Sequence, residues 1–80
     1  MTANAARKRV GAPAFAAAEF SRVVAKHRRE RELTVREAAA EAEVSINTFS
    51  RVERGIGGPD AQTLYALCAW MRCDPADFRA

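Results

Sequence analysis

The sequence predicts an all-α fold of five short helices, and three observations predict it. Capping residues stand at Thr34, Ser45, Asp60 and Asp74, each just ahead of a segment with helical patterning. Apolar residues inside those segments recur at three- and four-residue steps, the spacing of one helix face. No strand signal occurs anywhere along the chain. With 80 residues, 49% hydrophobic and 29% charged, the chain supports one small domain with a modest packed core rather than a disordered polymer.

Residues 1–12 carry no periodicity but hold Arg7, Lys8 and Arg9 with no acid among them. They read as a flexible basic arm, either a solvated leader or a segment that reaches into DNA grooves. Residues 13–80 form the domain proper. Pro13 suits the first turn of a helix running to about Arg31, since its missing N–H would be unsatisfied there anyway. Phe20, Val24 and Arg28 fall at four-residue steps, with Val23 and His27 one row over, so an apolar face ends in an arginine. Lys26, Arg29, Glu30, Arg31 and Glu32 read as solvated charges, and His27 as structural or exposed.

Leu33 is a hydrophobic anchor before the second helix, about Val35 to Ala42. Thr34 caps that helix and Glu37 reaches back, the reciprocal arrangement of a capping box. Val35, Ala38, Ala39 and Ala42 lie on one side, small enough to let another helix approach closely. Ser45 caps a third helix, about Ile46 to Arg54, which Gly55 ends in the left-handed conformation. Phe49, Val52 and Glu53 share one face of it, and Asn47, Ser50, Arg51 and Arg54 share another. After a loop of Ile56, Gly57, Gly58 and Pro59, Asp60 caps a fourth helix, about Ala61 to Arg72, with Leu64, Leu67, Cys68 and Met71 inward. Asp74 and Pro75 start a last short helix that returns Phe78 to the core.

Composition removes several function classes. Cys68 and Cys73 are expected to be reduced, because neither a secretory leader nor a disulfide framework is evident. Two cysteines and the single His27 cannot supply the four ligands of a structural zinc site, and no cofactor is expected. Charge interrupts every apolar segment before the roughly 20 residues a membrane helix needs, so a cytoplasmic protein without membrane contact is expected. No nucleophile and base pair can be assembled, which argues against an enzyme. The net charge of +3 and pI near 9.4 permit an acidic partner without requiring one.

Two constellations remain. Arg28 and Glu53 both face inward, and the economical arrangement is a salt bridge with two parallel hydrogen bonds tying the third helix to the first. The second and third helices, joined by so short a turn, have the dimensions of a helix-turn-helix unit. On the outer face of the third, Arg51 suits guanine, Asn47 suits adenine, and Ser50 can bond to several base edges or a phosphate. Arg54, near the helix end, is better placed for phosphate, while Ile46 can either close the core or meet a thymine methyl. The N-terminus of the second helix, from Thr34 to Arg36, and the Gly57 and Gly58 loop offer backbone N–H groups to anions.

From about Phe20 to Phe78 the chain resembles the Cro- and C1-repressor-type helix-turn-helix regulators of phages and bacteria, also called the XRE family. The resemblance rests on inward Arg28, Ala39, the Val44-Ser45 entry to the third helix, the run from Ser50 to Gly55, and Pro59 four residues on. It implies a five-helix, lambda-repressor-like domain that sets its third helix in the major groove and binds double-stranded DNA, often as a homodimer on half-sites about one helical turn apart. It also implies the Arg28 to Glu53 salt bridge. Carried over by position, it assigns Ile46, Asn47, Ser50 and Arg51 to bases, and Thr34 and Arg54 to phosphates.

The chain departs from the family in three places. Glu43 stands where glycine is usual in the turn, and holding a side chain left-handed there costs on the order of 1 kcal/mol, so a distorted turn is expected. Val35 replaces a frequent glutamine, and Ile56, Gly57 and Gly58 replace frequent basic residues, which shifts phosphate contact towards Arg36, Arg54 and the arm with Arg7, Lys8 and Arg9. Tyr65 and Trp70 fall off the inward face of the fourth helix and are candidate dimer contacts; Trp70 alternatively packs on the last helix or near Phe15. The leading expectation is a small Cro-type repressor, and the rival is an antitoxin or protein-interaction regulator on the same fold.

Overall fold

A computed structural model describes residues 15–79. Four α-helices follow one another, α1 (Ala17–Glu30), α2 (Val35–Ala42), α3 (Ile46–Arg54) and α4 (Ala61–Met71), and a 3-10 turn at Pro75–Phe78 closes the chain. The expected class is therefore correct and the element count is not, because the fifth element is a single tight turn. Its start is nevertheless the expected one: the Asp74 carboxylate accepts from Ala76 N–H at 2.9 Å and Asp77 reaches back to Asp74 N–H at 3.1 Å.

The first helix also begins later than the start expected at Pro13. Phe15 is extended and pairs with Arg79 in an isolated antiparallel bridge, and Ala16 N–H donates to the Phe78 carbonyl at 2.7 Å. Helix cannot start until Ala17, so the two ends of the described chain are tied to each other before α1 begins. Pro13 lies outside the described residues, as does the basic arm with Arg7, Lys8 and Arg9.

The other helix starts are capped as their sequences dictate. Glu37 N–H donates to the Thr34 hydroxyl at 3.0 Å while Thr34 N–H donates to Glu37, a complete capping box. Thr48 N–H donates to Ser45 at 3.0 Å, and Thr63 N–H to Asp60 at 2.7 Å. The inward faces then meet. Phe20 and Val24 of α1, Ala38, Ala39 and Ala42 of α2, Phe49 and Val52 of α3, Leu67 and Cys68 of α4, and Phe78 form one buried cluster. Phe78 meets Phe20 edge to face with centroids 4.9 Å apart, so the closing turn seals the end of α1.

All four helices end in the same way. A residue two or three past the helix donates its N–H back five positions, Leu33 to Arg28 at 3.1 Å, Val44 to Ala39 at 3.0 Å, Ile56 to Arg51 at 3.0 Å and Cys73 to Cys68 at 2.9 Å. The residue before each of these is left-handed: Glu32, Glu43, Gly55 and Arg72. These are Schellman closures, in which an apolar residue just past the helix commonly packs back on its last turns. Leu33, Val44 and Cys73 do pack against the core. Ile56 remains 45% exposed, and its closure is the one that uses glycine.

Glu43 thus adopts φ 62° and ψ 40°, and the turn between α2 and α3 keeps regular geometry. The expected distortion does not occur; burial of Val44 holds the closure, and the left-handed strain stays in Glu43. Replacing Glu43 by glycine relieves that strain while loosening the unfolded chain, so Glu43→Gly is expected to stabilise the domain by about 0.5–1 kcal/mol, measured by urea unfolding.

Candidate nucleic-acid interface

The short α2, the left-handed turn and α3 form a unit clamped from one side by a single arginine. Arg28 on α1 donates from Nε to Glu53 Oε2 at 2.5 Å and from Nη2 to Glu53 Oε1 at 3.1 Å. Its third nitrogen, Nη1, donates to the Leu33 carbonyl at 2.9 Å. One guanidinium therefore fixes α3 and the entry to α2 relative to α1. The Glu53 hydrogen bonds raise the Arg28 pKa against the opposing effect of burial.

With its inner face held by Phe49, Val52 and Glu53, α3 presents the opposite side outward. Asn47, Arg51 and Arg54 are exposed there and line one shallow recess with Ile56. Ile46 at the first turn is 38% exposed, so it does not close the core. Ser50 is half-buried at the edge of this face. Arg36, Thr34, Gly57 and Gly58 are exposed on flanking segments. Gly57 is left-handed, with φ 67°, and a side chain on either Gly57 or Gly58 would meet only open space.

The anion-accepting capacity of the α2 N-terminus is smaller than the sequence suggests. The Thr34 hydroxyl and the Glu37 carboxylate already occupy two of its N–H groups, and that carboxylate adds negative charge at the helix end. Only the Val35 and Arg36 N–H groups remain without an intrahelical acceptor.

A second cluster went unread in the sequence. Arg31, expected to be solvated, donates to Glu41 Oε1 at 2.6 Å and Oε2 at 3.4 Å. The Trp70 indole N–H donates to the same Glu41 Oε1 at 3.0 Å. Trp70 is half-buried, edge to face with Phe49 at 5.4 Å and with His27 at 4.7 Å. It is therefore drawn onto α1, α2 and α3, contrary to the expectation of a bare surface and to the alternative of packing near Phe15. The i, i+4 relation of His27 and Arg31 is visible in the sequence; their meeting with Glu41 and Trp70 is not. Tyr65, by contrast, is 66% exposed.

Among the described residues, no group of three or more His, Cys, Asp or Glu side chains is placed to hold a metal ion, and no helix is long and apolar enough to cross a membrane. Cys68 and Cys73 are free thiols.

Two short capped helices across a tight left-handed turn, the second anchored on one face and polar on the other, define a helix-turn-helix protein. A helix-turn-helix domain family matches residues 19–80, and the chain belongs to that family. No curated protein and no solved structure gives a significant match.

Breaking the Arg28 clamp strands a carboxylate whose side chain is only 12% exposed. Arg28→Ala is expected to cost about 3 kcal/mol in denaturant unfolding, and Arg28→Met with Glu53→Leu to recover most of it, because the double change leaves no unpaired charge inside.

The acids in these contacts set the response to low pH. Hydrogen bonds from Arg31 and then Trp70 lower the Glu41 pKa, and the Thr63 backbone and hydroxyl lower that of Asp60. Each carboxyl binds a proton less readily folded than unfolded, so its contribution is complete above the ordinary carboxylate range and is lost as pH falls through it. Melting temperatures followed from about pH 6 to about pH 3 are expected to fall less steeply for Glu41→Gln and Asp60→Asn than for the parent chain.

Proposed function

We propose that this protein is a sequence-specific regulator of transcription that inserts α3 in the major groove of double-stranded DNA, and that it acts as a small Cro-type repressor. The observation that carries the reading is the division of α3. Phe49, Val52 and Glu53 are committed to the interior, which leaves Asn47, Arg51 and Arg54 exposed together on a helix clamped by Arg28.

In this reading Arg51 donates two hydrogen bonds to a guanine, Asn47 pairs with adenine through its amide, and Ile46 meets a thymine methyl. Ser50, at the edge of the face, bonds to a base edge or a neighbouring phosphate. Arg54 and Arg36 hold phosphates on either side, with the Gly57 and Gly58 loop and the remaining N–H groups at Thr34 to Arg36 closing on the backbone. Arg7, Lys8 and Arg9 add non-specific attraction. The protein binds as a homodimer, with Tyr65 the contact residue on α4 and Trp70 bracing that helix from the interior side.

Selection from a random DNA pool is expected to recover an inverted repeat with half-sites about one helical turn apart. On the selected sequence Arg51→Ala should lose about 1–3 kcal/mol and relax preference at one base pair, while leaving random DNA almost unaffected. Arg54→Ala should weaken both equally and reduce the salt dependence by about one unit of slope. Equal loss on specific and random DNA for Arg51→Ala would overturn its assignment to a base, and a pool without consensus would favour a protein partner instead.

A further inference from the structure

The Schellman closure of α4 places its two special positions on cysteines. Cys73 N–H donates to the Cys68 carbonyl at 2.9 Å, and Arg72 N–H donates to Ala69 at 3.2 Å. In this motif the residue past the helix and the residue five before it are the pair whose side chains meet. At the ends of α1, α2 and α3 that pair is Arg28 with Leu33, Ala39 with Val44, and Arg51 with Ile56. Only in α4 are both members thiols, and Cys73 packs against the buried cluster that contains Cys68.

We propose that Cys68 and Cys73 form an intrachain dithiol site, which low-molecular-weight disulfides oxidise reversibly to a disulfide that locks the end of α4. Cys73 is half-buried and is the thiol that a reagent reaches; Cys68 is 2% exposed. The Cys73 thiol gives its proton to solvent and its sulfur attacks one sulfur of the reagent disulfide. The reagent S–S bond breaks, the first reagent thiolate leaves and takes up a proton, and Cys73 carries the other half as a mixed disulfide. Cys68 then loses its proton and attacks the Cys73 sulfur, expelling the second reagent thiolate, which is protonated in turn. Two protein thiols are oxidised and one reagent disulfide is reduced to two thiols.

The second step is the slower one. Burial first, and then contact with Cys73, push the Cys68 thiol up to about 12. Its ionisation therefore waits on loosening of the cap, and the left-handed Arg72, at φ 60°, is the strained point where the cap opens. The same last turn holds Trp70, which touches Phe49 of α3, so oxidation pins the helix end that braces the outward-facing helix.

The full chain is treated with excess oxidised glutathione near pH 8, quenched with acid at intervals, and followed by intact mass, thiol alkylation in denaturant and Trp70 fluorescence. The expected course is a transient adduct of one glutathione, then a monomer about 2 Da lighter than the reduced chain with no thiol left to alkylate. Dithiothreitol should restore the mass and the fluorescence. Cys68→Ala should stop at the mixed disulfide, and Cys73→Ala should stay unmodified in native buffer. A mixed disulfide that persists in the unsubstituted chain, a disulfide-linked dimer, or two thiols still alkylated would overturn the proposal, and none of these readings depends on the variants folding.

Discussion

The Arg28 guanidinium is the contact on which the rest of the structure depends. It leaves α1, forms two hydrogen bonds with Glu53 on α3, and gives its third nitrogen to the Leu33 carbonyl just before the α2 cap. A charge this far from water is costly unless each donor is satisfied, and here all three nitrogens are used. The orientation of α3 relative to α2 is thus set from outside the two-helix unit, by a residue on a third helix. Apolar contacts alone would tolerate a small roll of α3, whereas a planar two-bond pair does not.

The four helix ends show a second constraint, namely how so short a chain turns so often. Left-handed residues end every helix, and three of the four are Glu32, Glu43 and Arg72 rather than glycine. Each imposes strain on the order of 1 kcal/mol. The following residue, Leu33, Val44 or Cys73, packs on the core, and that burial offsets the strain. Gly55 precedes Ile56, which stays exposed and offers no such compensation. Glycine occurs where burial cannot hold the turn.

Charge is divided accordingly. Arg28 near the interior is engaged by Glu53, and Arg31 at the surface by Glu41. The exposed Arg51 and Arg54 on α3 make no salt bridge among the described residues, and they sit near the helix C-terminus where the backbone dipole also favours them. The proposed readout of DNA follows from that division: side chains held by the fold position α3, and side chains the fold leaves alone face outward.

Much of this was determined by the sequence alone. The caps at Thr34, Ser45 and Asp60, the left-handed Gly55, the inward faces and the Arg28 to Glu53 pair are all local patterns or forced pairings, because a capping side chain acts within three residues and a buried charge needs a partner. The tertiary structure alone decided the rest. The late start of α1 depends on Phe15 and Ala16 bonding to residues at the far end of the described chain. The inward turn of Trp70 depends on Glu41, which stands 29 positions away and also binds Arg31. The regular turn at Glu43 depends on a core against which Val44 packs. Periodicity reports which face a residue takes; only the packed chain reports what waits on that face, since contacts between distant segments leave no mark on either segment alone.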